Sequence, residues 1–141
     1  MKVIVKSCSD GDAEYIIDRL VEYNLSQVPA EQEVLFDELN RKITDDNGII
    51  IAGCVARLYC RNVAYIDTLW VEEAYRGNGL GAKLLDDIEA DAKAKGCHLI
   101  HLDTFDFQSK GFYEKHGYEV FGQLEDCPRG HCRFYLKKRL I

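Results

Sequence analysis

A chain of 141 residues, 47% hydrophobic and 30% charged, has the size and apolar content of one globular domain, and no linker or repeat divides it. Its net charge of −6 and pI near 5.2 argue against a nucleic-acid binder, and no apolar run approaches the roughly 20 residues that span a bilayer. Residues 1–10 carry neither the apolar core nor the cleavage site of a secretory signal, so a cytoplasmic protein is expected.

In chain order, Val3, Ile4 and Val5 predict a short strand, and Ser9, Asp10 or Asp12 can cap a helix carrying Tyr15, Ile16, Leu20 and Tyr23 at helical spacing. Residues 26–29 break that helix. A second is expected over 31–43, with Val34, Leu35, Leu39 and Ile43 as its apolar stripe, ending near the turn signal DDNG at 45–48. Tyr15, Tyr23, Leu35 and Phe36 on this helix pair read as core. Residues 48–59 look like a central strand, and Arg61 with Asn62 supplies a hairpin turn into a partner strand over 63–71. Beyond a glycine-rich turn, Leu84, Leu85, Ile88 and Ala92 line one face of a helix that ends at Gly96. The alternating stretch 97–104 is the next strand, and its connection implies a parallel neighbour reached by a right-handed crossover. A short helix over 108–116, a strand over 118–121, a loop over 125–130 and a last strand over 132–136 complete the reading.

The six cysteines (Cys8, Cys54, Cys60, Cys97, Cys127, Cys132) show no paired spacing and read as small buried hydrophobes. Cys127, His131 and Cys132 stand too close together, without a second pair, for a zinc site, so no metal is expected.

The stretch 65–95 organises the chain, because an apolar strand runs through RGNGLG (residues 76–81) into an amphipathic helix. Glycines let backbone N–H groups approach a ligand at a helix end whose first donors lack internal partners, and such an end attracts phosphates. No carboxylate lies between Arg76 and Leu85, while Arg76 and Lys83 flank the turn, so a phosphorylated ligand is the first inference. A P-loop is excluded because Ala82, Lys83 and Leu84 follow Gly81, without the hydroxyl that would hold magnesium. A dinucleotide fingerprint is met by Gly77, Gly79 and Ala82, with Asp103 as the ribose-binding acid. Against it, polar residues 72–75 separate strand from glycines, and too little chain follows for a second half-sheet; dinucleotide-dependent redox remains the enzymatic alternative.

RGNGLG resembles the acyl-CoA pyrophosphate loop, Arg/Gln-x-x-Gly-x-Gly/Ala, of the GNAT superfamily of N-acetyltransferases. Residues 106–118 (DFQSKGFYEKHGY) resemble a later pattern of that family at Phe112, Tyr113, Gly117 and Tyr118. The resemblance implies one domain over 1–141 of α/β (α+β) class: a central mixed, mostly antiparallel sheet with splayed parallel strands 4 and 5 and about four flanking helices. It implies acetyl-CoA (coenzyme A) as cofactor, its pyrophosphate held by backbone N–H groups of Arg76, Gly77, Asn78, Gly79, Leu80, Gly81 and Ala82. The strand backbone at Leu69, Trp70 and Val71 would lie along the pantetheine arm, and Gln108, Ser109 and Phe112 complete the cofactor site. Asp106 and Ser109 depart from the family's Asn and Ala, and Gln108 is the amide that could replace the former.

Moving an acetyl group from a thioester to an amine needs a neutral amine, donors for the oxyanion and a proton for the thiolate. Tyr113 matches the family's general acid; otherwise it is a core tyrosine beside Phe112. Asp67 is the preferred base, because in a period-two strand it shares a face with Leu69 and Val71, leaving Ile66, Thr68 and Trp70 as core on the other. It could instead orient substrate or pair with Arg57 or Arg61. Glu72 is the second choice, and a water chain could take the proton. The four histidines read as structural or solvated, His131 being the one nearest the amine site in the family. The expected activity is acetyl transfer from acetyl-CoA to a primary amine, on a small molecule or peptide, by direct attack in a ternary complex, with no nucleic acid or membrane partner. Exposed strand edges are compatible with a homodimer. The alternative from another class is a non-catalytic acyl-CoA-binding sensor.

Overall fold

Ser9 opens the first helix in the computed structural model, which describes residues 1–30, 36–59 and 62–141. Its hydroxyl accepts from the Asp12 N–H at 3.1 Å, and the Asp12 carboxylate accepts from the Ser9 N–H at 3.0 Å, so two donors at the helix start are satisfied reciprocally. Helix α1 (Asp10–Gln27) ends where Val28 donates its N–H to the Asn24 carbonyl. Val3, Ile4 and Val5 form no strand: residues 1–9 carry no regular structure, because a short apolar run becomes a strand only when a ladder takes it up. Tyr15 and Tyr23 are each more than half exposed and not core. Met1–Ala30 is one unit of the chain and Glu31–Ile141 another.

The second unit is built on a seven-stranded sheet in the order β1-β3-β4-β5-β7-β6, with β2 also on β3. The strands are β1 (Asp37–Glu38), β2 (Arg41–Thr44), β3 (Ile50–Tyr59), β4 (Val63–Val71), β5 (Leu99–Phe105), β6 (Glu119–Glu125) and β7 (Cys132–Arg139). Among the described residues, only β4 and β5 pair in parallel. Helix α2 (Leu80–Ala94) makes the crossover between them, and α3 (Lys110–Lys115) precedes β6.

Three α-helices are present among the described residues, not about four. Over 37–44 the expected second helix is replaced by β1 and β2, while Val34 and Leu35 lie outside the described residues. Pairing prevails over helical spacing here. The Leu39 N–H donates to the Ala56 carbonyl at 2.8 Å, the Ala56 N–H to Asn40 Oδ1 at 3.2 Å, and Leu39 is fully buried. Phe36, also expected in the core, is 55% exposed. The DDNG turn is as expected: the Asp45 carboxylate accepts from the N–H groups of Asn47 and Ile49, and Gly48 takes φ +80°.

The core lies between α2 and the sheet, where Leu84, Leu85, Ile88 and Ala92 meet buried residues of β3, β4 and β5. Each large side chain so buried contributes roughly 1.5–3 kcal/mol. Cys54 and Cys97 belong to this core, Cys8 is exposed, Cys127 and Cys132 are half-buried, and Cys60 lies outside the described residues. Ionic contacts hold α2 from two sides. Arg41 donates to Asp87 and Asp91 at 2.8 and 2.5 Å, and the Glu89 carboxylate accepts from Lys138 at 2.5 Å and from the Tyr118 hydroxyl at 3.0 Å.

Candidate active site

Strands β4 and β5 stay in register from Val63 against Leu99 to Ile66 against Leu102. Then they part, β4 running on to Val71 and β5 to Phe105. A bulge sits at the parting: β3 pairs Val55 with Thr68 and Ala56 with Ile66, which leaves Asp67 as the extra residue. The extra residue reverses the alternation, so Ala64 and Ile66 before it and Leu69 and Val71 after it all pack on the α2 side. Two expectations fail for this reason. Asp67 does not share a face with Leu69 and Val71, and Ile66 does not share one with Thr68 and Trp70. Trp70 is 41% exposed instead of core.

The parted strands open a cleft of about 720 Å³. It is lined by Asp67, Leu69, Trp70 and Val71 from β4, by the turn into α2, by Asp103 and Phe105 from β5, and by Gln108, Ser109, Phe112 and Tyr113 at α3. Beyond Ile66 the β4 backbone has no ladder partner on its β5 side, and such an edge offers N–H and C=O groups to an extended ligand.

At one end lies the glycine turn. Gly77 and Gly79 take φ +80° and +76°, a region that other residues enter only with strain. Gly79 caps α2 with no side-chain hydrogen bond, and the first helical bond runs from the Lys83 N–H to the Gly79 carbonyl at 3.0 Å. The N–H groups of Leu80, Gly81 and Ala82 therefore stand ahead of the ladder, and the first turn holds no acid. A helix start of this kind attracts anions, and its donor set fits a diphosphate. Arg76 turns inward and donates from Nε to the Val71 carbonyl at 3.0 Å. Asn78 does not line the cleft; its side-chain amide donates to the Tyr75 carbonyl at 3.0 Å and shapes the turn.

Gly81 answers a different need. A Cβ there would lie 3.3 Å from the Phe112 ring, so the absence of a side chain lets α3 close on α2. Phe112 in turn meets Tyr113 edge to face, with centroids 5.2 Å apart. Tyr113 is 6% exposed; burial, with Cys54 and Asp103 nearby, pushes its phenol up to about 12. Gln108 is committed through its carbonyl, which accepts from Thr104 Oγ1 at 3.1 Å and the Phe105 N–H at 2.8 Å. Asp106 does not line the cleft. Its carboxylate accepts from the Cys132 N–H and from His131 Nδ1, each at 2.9 Å, and the Cys132 contact above all holds it below the usual carboxylate range.

The sheet face turned away from α2 carries a polar array that the sequence reading did not assemble. Arg57 pairs with Asp67 at 3.3 Å and lies 5.0 Å above the Tyr65 ring. The Tyr65 hydroxyl donates to Asp103 Oδ2 at 2.7 Å, and Arg133 donates to Asp103 Oδ1 from Nε and Nη2 at 3.0 and 2.6 Å. His101, whose ring is pushed by burial toward the neutral form, meets the Tyr59 hydroxyl at 2.7 Å. The signal was available: alternation on β5 buries Ile100, Leu102 and Thr104, so His101, Asp103 and Phe105 must face the other way.

Comparison with known proteins agrees with this geometry. Residues 13–118 match the model of the Acetyltransferase (GNAT) family. The chain is 31% identical over 140 residues to an acetyltransferase of Agrobacterium fabrum, covering 99% of each. It is 39% identical over 77 residues to blasticidin-S acetyltransferase of Streptomyces morookaense, covering 54% of this chain and 57% of that one. The crystal structure of a Bacillus cereus acetyltransferase superposes with a TM-score of 0.89 at 37% identity, covering 97% of each chain. With a splayed parallel strand pair, a glycine turn at the mouth of the crossover helix and relatives along its whole length, the chain belongs to the GNAT family of acetyltransferases.

Proposed function

We propose that the chain moves an acetyl group from acetyl-CoA to a primary amine by direct attack while both are bound, and that residues 1–141 act as one N-acetyltransferase domain. The observation that carries this reading is a single cleft whose lining includes the glycine turn, the unpaired edge of β4, Tyr113 and Asp67. Bound acetyl-CoA supplies an activated acyl group and a thiolate leaving group. The N–H groups of Leu80, Gly81 and Ala82, with those of the turn before them, hold the diphosphate. The β4 edge at Leu69 and Val71 aligns the pantetheine arm and directs an N–H at the thioester oxygen.

Tyr113 and Asp67 serve from opposite faces of the sheet. At about 12 the Tyr113 phenol stays protonated through neutral pH, so it offers an O–H and never a base. A thiol near 8.5 is the stronger acid, so Tyr113 steadies the departing sulfur with a hydrogen bond while the proton released by the amine makes that sulfur a thiol. The amine arrives as an ammonium that must lose two protons: Asp67, half exposed and tied to Arg57, takes the first on the far side and passes it to water, and the second, shed as the amide forms, is the one that reaches the sulfur.

The test is coenzyme A release with a library of amines, beside calorimetry with acetyl-CoA. Release with at least one amine is expected. Tight acetyl-CoA binding without release from any amine would favour the sensor reading. A thermal shift with NAD and none with acetyl-CoA would favour redox, since a ligand of the native state raises its apparent stability.

A further inference from the structure

Two carboxylates line the cleft, and the proposed chemistry uses one of them. Asp103 is the other. It is held from two sides without being saturated: both Arg133 donors fall on Oδ1, and among the described residues Oδ2 accepts from Tyr65 alone. A carboxylate offers about four acceptor positions, so Oδ2 keeps one, and the side chain retains 17% exposure. Its neighbours on that face are already engaged, Arg57 with Asp67 and Tyr65 with Asp103 itself. An acid locked by a two-pronged arginine and a tyrosine is preorganised, so a donor that reaches it loses little freedom beyond its own.

We propose that Asp103 determines which amine is used: Oδ2 receives a second donor, hydroxyl or ammonium, carried next to the reacting amine, and so selects vicinal amino alcohols and diamines over simple alkylamines. This rests on the N-acetyltransferase reading of the site. The second donor pairs with Oδ2 outside the reacting bonds, so selection shows in KM more than in kcat. An alkylamine of the same length leaves Oδ2 facing a methyl group, desolvated and unpaired.

The experiment uses the full chain, acetyl-CoA and three probes matched in length, 2-aminoethanol, 1,2-diaminoethane and propylamine, with coenzyme A release as the readout. Wild type is expected to favour the first two in kcat/KM by about tenfold or more, as a hydrogen bond to a charged group warrants. Asp103→Asn keeps the shape and can still accept from Arg133 through Oδ1, but places an N–H₂ where Oδ2 stood. The preference should then shrink to about twofold or less through KM, with acetyl-CoA affinity unchanged. Tyr65→Phe, which removes one anchor and leaves the charge, should lose part of the preference, and it decides the matter should the Asn variant not fold. A residue that only anchored Arg133 would not move the ratio between probes. Equal use of the three probes by wild type, an undiminished preference in the variants, or acetyl-CoA binding with no turnover of any probe each overturns the proposal. Absence of acetyl-CoA binding, or binding without coenzyme A release from any amine of the wider library, overturns the functional reading itself, so calorimetry and the library together tell the two failures apart.

Discussion

The same two strands behave differently along their length. From Val63 to Ile66, β4 is sealed to β5 by a parallel ladder, with Ala64 and Ile66 buried at 0 and 2% exposure. From Asp67 onward it is open on that side, its residues line a cleft, and Thr68 and Trp70 are exposed. The lesson is that a single extra residue marks where one strand changes character: the closed half is sealed into the fold, and the open half leaves its backbone unpaired along a cleft.

The comparison breaks first under mutation of the closed half. Ile100→Ala, at a fully buried position beside the ladder, should lower unfolding free energy by about 2–5 kcal/mol in chemical denaturation, whereas Leu69→Ala in the open half should cost less than about 2 kcal/mol. Equal losses would erase the distinction. Next, Tyr113→Phe should reduce kcat by about a hundredfold with little change in acetyl-CoA affinity, and Asp67→Asn by about tenfold. An unchanged kcat would remove the residue concerned from the proposed chemistry. Third, Gly79→Asp should weaken acetyl-CoA binding about tenfold or more by calorimetry, while Tm moves by only a few degrees, since Asp tolerates positive φ and its charge suits the helix start even as it fills the anion site.

The smallest effect at neutral pH is a proton linkage. Burial lifts the Tyr113 and Tyr65 phenols from 10.0 to about 12, so above pH 10 the unfolded chain gives up protons that the folded one keeps. The stability this confers is complete below about pH 10 and is lost as pH rises through about 12. A Tm series from pH 8 to 12 should fall most steeply in that window, and less steeply for Tyr113→Phe, which lacks one of the phenols that burial raises, Tyr118 being another.

Much of this was legible in the sequence, and the exceptions share a cause. The glycine turn, α2, α3 and strands β3 to β5 follow from local patterns that their tertiary surroundings reinforce. β2 was missed because Leu39 and Ile43 are spaced as on a helix, and only the free edge of β3 decides otherwise. The bulge was missed because nothing within VAYIDTLWV marks an extra residue; it exists only relative to β3. With it went the faces of Asp67 and Trp70, and so the polar array around Asp103. Asp106 and Gln108 likewise owe their roles to contacts far along the chain or across a turn, which spacing does not encode.

Among the described residues, every ionic contact on α2 falls at Asp87 or later, while the glycine mouth has no side-chain cap. The helix is therefore tied by charge at its far end and seated by packing alone at its tip, where Gly81 meets Phe112. Those distal ties stand apart from the glycine turn, so the turn can be rewritten without touching them, and salt that loosens them leaves the apolar seat of the helix in place.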